Sequence, residues 1–262
     1  MVRTARLTIA YDGTRYAGWQ VQKPTGHRLQ AASRKPTIQG TLERILSRIL
    51  RERVKVVGSG RTDAGVHALA QVAHVKTRST LPRERIWRSV NSLLPHDIAV
   101  TRIDEVPGSF HARFSARRKQ YRYRIFTGAV VPPFIRPYVH HVRAPLDFRV
   151  MRREAADLLG RHDFRGFARS DSARQRSSTS RLLSGVRLAR RDSEIHLELE
   201  GDGFLHTMVR SIAGTLIDVG RGRLPPGTIR RMLVSGQRRL SGTTAPPKGL
   251  MLVSVEYEET SW

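Results

Sequence analysis

The chain has 262 residues, 47 basic side chains against 22 acidic ones, a formal net charge of +25 and no cysteine. That length supports one large domain or two small ones with a genuine core. A chain without cysteine has no disulfide framework, thiolate catalysis or cysteine-bound metal, and no apolar run approaches the roughly 20 residues a membrane helix needs.

Lysine supplies only six of the basic residues, so arginine dominates the charge. Guanidinium groups can grip phosphates bidentately and stack on bases. A field this positive attracts a polyanion such as RNA. The N-terminus runs straight into a strand pattern, so no signal peptide is expected, and a cytoplasmic location is the natural reading.

In chain order, Leu7, Ile9 and Tyr11 alternate with Thr8 and Ala10 and predict a first strand, closed by the turn Asp12-Gly13-Thr14. Residues Gln22–Pro36 are polar, basic and loop-like. Thr37 is placed to cap a helix whose Ile38, Leu42, Ile45, Leu46 and Ile49 share one face. A strand over Val54–Val57, a glycine-rich turn and a strand over Gln71–Val75 follow. A second helix begins after Pro82 with Ile86, Val90, Leu93 and Leu94 inward, and Ile98–Ile103 reads as a strand. This succession is an α+β pattern with antiparallel pairing.

Tyr121, Tyr123 and Ile125 alternate with Arg122 and Arg124, a strand with one apolar face and one basic face. A helix over Asp147–Leu159 follows, with Val150, Ala155, Leu158 and Leu159 on one side. Strands at Leu182–Ala189 and Ile195–Glu200, a helix through Leu205–Leu216, a short helix after Pro226 and a strand over Leu250–Tyr257 complete the chain. The order resembles that of the first half, which predicts two lobes, 1–115 and 116–262.

The turn Gly58-Ser59-Gly60-Arg61-Thr62-Asp63-Ala64-Gly65-Val66-His67 is the most informative segment of the chain. Its glycines let the backbone bend sharply and let a bulky ligand come close, and Asp63 stands two residues from Arg61. On local sequence alone Asp63 is either a functional carboxylate or an Asx turn former. Arg61 would keep Asp63 ionised, grip phosphate, fill the space of an extruded base, or only form an ion pair. Asp63 and His67 have i, i+4 spacing, but the glycines break any helix there and no third ligand lies at a standard interval, so no metal site is expected. His67 is expected to support the turn or touch RNA.

This turn, together with Tyr11-Asp12-Gly13, Gly18-Trp19-Gln20, Phe110-His111-Ala112-Arg113-Phe114-Ser115-Ala116, Tyr121-Arg122-Tyr123, Phe204-Leu205-His206, Met208-Val209-Arg210 and Lys248-Gly249-Leu250, resembles the motif set of the tRNA pseudouridine synthase A family, in that family's order. The resemblance implies the pseudouridine synthase fold: two similar α+β lobes sharing an extended, mainly antiparallel sheet, with a central RNA-binding cleft. It implies conversion of uridine to pseudouridine at positions 38, 39 and 40 of the tRNA anticodon stem-loop. Asp63 would be the catalytic carboxylate, Tyr121 the aromatic partner of the target base, and Arg61, Arg210 and His67 further substrate contacts. No cofactor is implied, and the family works as a homodimer. The insertion Gln22–Pro36 and the Ser- and Arg-rich Ser170–Ser180 depart from the family pattern.

Two readings compete with an enzyme of this kind. A non-catalytic RNA-binding protein or chaperone accounts for the charge but gives no reason for an aspartate inside an arginine-bearing turn. A metal-dependent nuclease needs clustered carboxylates, and the motif offers one.

Overall fold

The computed structural model describes residues 1–21, 35–169 and 178–258. Most of the Gln22–Pro36 insertion and most of Ser170–Ser180 therefore lie outside the described residues. The chain divides into two compact units: Met1–Arg117 with the stretch from Leu252 on, and Arg118–Met251.

The first unit runs β1 (Arg3–Tyr11), α1 (Ile38–Leu50), β2 (Val57–Gly58), β3 (His67–Thr77), α2 (Arg83–Leu93) and β4 (Ile98–Val106). Its sheet has the order β4-β1-β3, with β10 (Leu250–Tyr257) beside β3. The pairs β1–β3, β1–β4 and β2–β3 are antiparallel. Alternation decides the faces of β1: Leu7, Ile9 and Tyr11 are buried while their neighbours are only half-buried. α1 starts where Thr37 predicts, its Oγ1 accepting from the Gly40 amide at 3.1 Å, and buries Ile38, Leu42, Ile45 and Leu46.

Three expectations in this unit need correction. Val54–Val56 is not strand, although Val54 and Val56 are buried. Side chains of α1 take the backbone of Val56: its amide donates to Glu43 Oε1 at 3.0 Å and its carbonyl accepts from Gln39 Nε2 at 3.1 Å. Only Val57 and Gly58 remain to pair with β3. Leu93 is 43% exposed at the end of α2, and Leu94, already in extended backbone, is half-buried, because Ile86 and Val90 alone reach the core. β3 and β4 run longer than their apolar signals, because neighbouring strands supply partners for polar positions as well.

The second unit contains β5 (Ala116–Phe126), β6 (His140–His141), α3 (Phe148–Ala156), β7 (Gly160–Asp163), β8 (Ser180–Arg191), β9 (Glu194–Gly201), α4 (Met208–Gly220) and α5 (Thr228–Ser235). Its strands are ordered β5-β9-β8-β7, antiparallel between β5 and β9, β9 and β8, and β8 and β7. β6 adds a short parallel pair to β5. Apart from β6, β7 and α5, the order from β5 onward is again strand, helix, strand, strand, helix, strand. Asp147 caps α3, accepting from the Val150 amide at 3.0 Å. That helix ends earlier than its pattern predicts, and Leu159 is 55% exposed beyond it. α4 also begins later than expected, with Leu205 buried in the turn ahead of it.

β5 shows why both of its faces are stable. Tyr121, Tyr123 and Ile125 are buried. On the other face Arg122 and Arg124 meet Glu198 and Glu194 of β9 at 2.8 and 2.7 Å. Cross-strand pairs of opposite charge stabilise a sheet modestly and neutralise that surface.

Candidate active site

In the first unit the site is built on the loop between β2 and β3. The Ser59 amide donates to the Val72 carbonyl at 2.7 Å, and the buried Ser59 Oγ donates to Gln71 Oε1 at 2.6 Å. Gln71, fully buried, returns a bond from Nε2 to the Gly60 carbonyl at 3.1 Å. Both ends of the Gln71 amide are thus used to hold the loop's entry. Buried amides are specified this tightly because an unpaired end costs about 1–3 kcal/mol.

The centre of the loop is pinned from β1 and from the segment after it. Thr62 Oγ1 bonds the buried hydroxyl of Tyr11 at 2.8 Å. Burial pushes the Tyr11 phenol up to about 12, against the lowering effect of Thr62 and Gln71, so it remains neutral. The Thr62 carbonyl accepts from the Trp19 amide at 3.0 Å. Gly18 makes this approach possible: its φ is +94°, and a Cβ there would sit 2.6 Å from the Thr62 carbonyl oxygen.

Asp63 follows directly and is half-buried. Its carbonyl accepts from the Val66 amide at 3.1 Å, closing a turn in which Gly65 takes φ +78°. Glycine suits that third position of a tight turn. The carboxylate is therefore carried on a short segment held on both sides, at the mouth of β3.

His67 is buried on the first residue of β3. Its Nδ1 accepts from the Gly13 amide at 3.2 Å and lies 3.1 Å from Asp12 Oδ1. One ring nitrogen ties the end of β1 to the start of β3, which supports the turn. Arg61 is exposed and donates from Nε to Gln20 Oε1 at 3.1 Å. Among the described residues no group of three His, Asp or Glu side chains could hold a metal ion.

In the second unit, Tyr121 on β5 is 8% exposed and meets the Phe204 ring edge-on, centroids 4.9 Å apart. Tyr123, two residues on, is fully buried and donates to the Pro246 carbonyl at 2.9 Å, a core position as its spacing predicts. Arg210, in the first turn of α4, donates from Nε to the Ala245 carbonyl at 2.8 Å, and the Ala245 amide returns a bond to the Arg210 carbonyl at 3.1 Å. The guanidinium Nε and the backbone of Arg210 are thereby both tied to the segment that leads into β10.

Sequence reasoning gave no site role to Tyr11, Gly18, Trp19 or Gln71. Tyr11-Asp12-Gly13 and Gly18-Trp19-Gln20 stood out as motifs, and that they converge on Thr62 is visible only in the fold.

A family model described as tRNA pseudouridine synthase matches residues 7–115 and 155–258. Curated proteins named tRNA pseudouridine synthase A are similar over nearly their whole length. That of Geotalea uraniireducens is 44% identical across 98% of this chain and 100% of its own. That of Moorella thermoacetica is 43% identical, covering 96% and 98% of the two chains. The protein of Acetivibrio thermocellus is 41% identical across 98% and 100%.

Proposed function

Because the chain belongs to the tRNA pseudouridine synthase family, we propose that it isomerises uridine to pseudouridine in the anticodon stem-loop of tRNA, at positions 38, 39 and 40, with Asp63 as the catalytic carboxylate. The observation that carries the assignment of Asp63 is its mounting. The half-buried Asp63 stands on a loop pinned by Tyr11, Trp19 and Gln71, two residues along the chain from the exposed Arg61. A binding protein has no use for a fixed negative charge where phosphates approach; a carboxylate that must meet C1′ or C6 of one nucleotide does.

The reaction breaks the C1′–N1 bond, turns the uracil ring and joins C5 to C1′. One proton leaves C5 and one is gained at N1, so the product is an isomer and no redox partner or energy source is consumed. Asp63 acts as nucleophile at C1′ or at C6, or as the base that removes the 2′ hydrogen. Tyr121 stacks on the target base, which contributes roughly 1–3 kcal/mol. Arg61 fills the space left when the uridine leaves the helix, replacing part of the lost stacking. Arg210 contacts the substrate from the second unit, and His67 supports the loop or touches the RNA. The N-terminal lobe carries the carboxylate and the C-terminal lobe completes the RNA site. The enzyme works in the cytoplasm as a homodimer, without metal or organic cofactor.

The test uses an unmodified tRNA transcript with chelator present and maps pseudouridine by chemical labelling and primer extension. Wild type should modify the anticodon arm. Asp63→Asn should lose about 10²–10⁴-fold or more in turnover while its tRNA Kd stays within about threefold. Tight, salt-sensitive binding without pseudouridine in wild type would leave an RNA-binding protein in place of an enzyme.

A further inference from the structure

The segment Phe110–Ser115 carries an aromatic ring that neither the core nor the Asp63 turn uses. Phe110 and Ala112 face inward, with Val72, Val106 and Tyr257. Phe114 faces outward and keeps 77% of its surface exposed. An isolated exposed apolar side chain is ordinary; the mounting and the neighbours of this one are not.

Every amide from His111 to Ser115 has an acceptor. The His111 amide donates to Ser115 Oγ at 3.1 Å and the Ala112 amide to His74 Nδ1 at 3.1 Å. The amides of Arg113 and Phe114 both donate to His111 Nδ1, at 3.2 and 3.3 Å. The Ser115 amide donates to the His111 carbonyl at 2.9 Å. The backbone that carries the ring is thus held in place before any ligand arrives, which lowers the ordering cost of binding.

Its neighbours are a cation and a second ring. The Arg113 guanidinium lies 5.5 Å from the Phe114 centroid, and among the described residues Arg113 enters no ion pair. The His111 ring lies 4.4 Å away at 31°. Phe114 also walls a pocket of about 300 Å³, together with Arg6, Ser115, Arg117, Tyr257 and Glu258. Arg117 and Glu258 pair with each other there.

We propose that Phe114 is a stacking platform for an unpaired base of the RNA substrate, with Arg113 gripping the phosphate beside that base. A nucleotide presents a π face next to an anionic phosphate, and this turn presents a ring next to an arginine. A protein partner would ask for a wider apolar centre than one ring. The net charge of +25 has the sign the proposal needs. The platform is anchored at His74, seven residues along β3 from His67, an extended span of about 23 Å. It therefore engages a nucleotide other than the uridine at Asp63. The proposal rests on the reading of the protein as a tRNA-modifying enzyme.

The test uses full-length protein carrying Phe114→Ala, Phe114→Leu, Phe114→Trp or Arg113→Ala, with unmodified tRNA transcript. Kd is measured over a range of salt, alongside pseudouridine formation, melting temperature and sedimentation mass. Phe114→Ala and Phe114→Leu should weaken binding about tenfold with an unchanged salt slope and melting temperature. Phe114→Trp should bind within about threefold of wild type and show tRNA-dependent quenching beyond that of the native tryptophans. Arg113→Ala should reduce the slope of log K against log salt by about 0.7–0.9. Wild-type affinity in Phe114→Ala beside an active wild type overturns the platform alone. Unchanged affinity with a fall in sedimentation mass also overturns it and makes the ring a contact between copies. A wild type that neither binds nor modifies tRNA sinks the functional reading and the platform with it.

Discussion

Two turns hang from β3, and they dispose of their side chains in opposite ways. The Asp63 turn sends its supporting polar groups inward: Ser59, Thr62 and His67 are buried, each with a partner on β1, on β3 or in the loop after β1. The His111–Ser115 turn satisfies its backbone with two imidazoles, a hydroxyl and a carbonyl, and sends an apolar ring outward. Hydropathy alone would place these two turns the wrong way round, with the polar turn at the surface and the phenylalanine in the core. With Asp63 and Phe114 in the roles proposed for them, the difference teaches that a reacting group needs its supports dry and satisfied, whereas a recognition group needs its support satisfied and its own surface wet. The same inventory of hydrogen bonds serves precision in the first case and presentation in the second.

The comparison breaks most severely at Gly18. An alanine there takes on a left-handed φ and places a Cβ 2.6 Å from the Thr62 carbonyl oxygen and 3.0 Å from the Asp63 carbonyl carbon. Backbone strain and overpacking together cost on the order of 3 kcal/mol. The backbone of Thr62 and Asp63 must retreat, and a displacement of about 1 Å costs on the order of 100-fold in turnover. Gly18→Ala is therefore expected to lower kcat by that factor, with tRNA Kd within about threefold, read by single-turnover kinetics and a denaturant melt. A full wild-type kcat would show that the loop tolerates movement and that its supports serve stability alone.

Much of this was legible in the sequence wherever the determining signal is local. The Thr37 cap, the apolar stripe of α1, the alternation of β1 and β5 and the bounds of β10 depend on residues a few positions apart. The glycines around Asp63 marked a turn for the same reason. What was not legible depends on partners distant in the chain. Val54–Val56 has a strand's composition, but Glu43 and Gln39 occupy the backbone of Val56. Tyr11 reaches Thr62 across 51 positions, and Gly18 faces Thr62 across 44, so neither role leaves a spacing to read. Glu154 is another such case: buried on α3, it accepts from the Gly227 and Ile229 amides at the start of α5, a cap supplied 73 to 75 residues away.

The second turn is sharpened by acid. His74 accepts from the Ala112 amide, and its pKa is lowered to about 4 by burial, then by His111 and Lys76. Its ordinary value is about 6.5, so the unfolded chain takes up this proton first. The stability His74 contributes is therefore complete above about pH 6.5 and is lost as the pH falls toward 4, by at most about 3 kcal/mol. Denaturant midpoints measured across that window should fall, and His74→Gln should flatten the profile. Because protonation removes the acceptor for Ala112, tRNA affinity at fixed salt should fall in the same window in wild type and less in Phe114→Ala. Parallel pH profiles for the two proteins would detach the platform from its anchor at His74.

The smallest effect is expected where arginine is most regular. Along β5 and β9, Arg118, Arg122 and Arg124 face Glu200, Glu198 and Glu194, with the Arg122 and Arg124 pairs at 2.8 and 2.7 Å. These cations add to the overall charge count, but a phosphate approaching them meets the carboxylates as well. Replacing one pair as a unit, Arg122→Gln with Glu198→Gln, leaves no unpaired charge on that face. Part-exposed pairs of this kind contribute about 1 kcal/mol or less, so the melt should shift little. The slope of log K against log salt should also stay at the wild-type value, in contrast with Arg113→Ala. A slope reduced as much as in Arg113→Ala would mean that paired arginines reach RNA too, and that total charge rather than its local balance sets the binding surface.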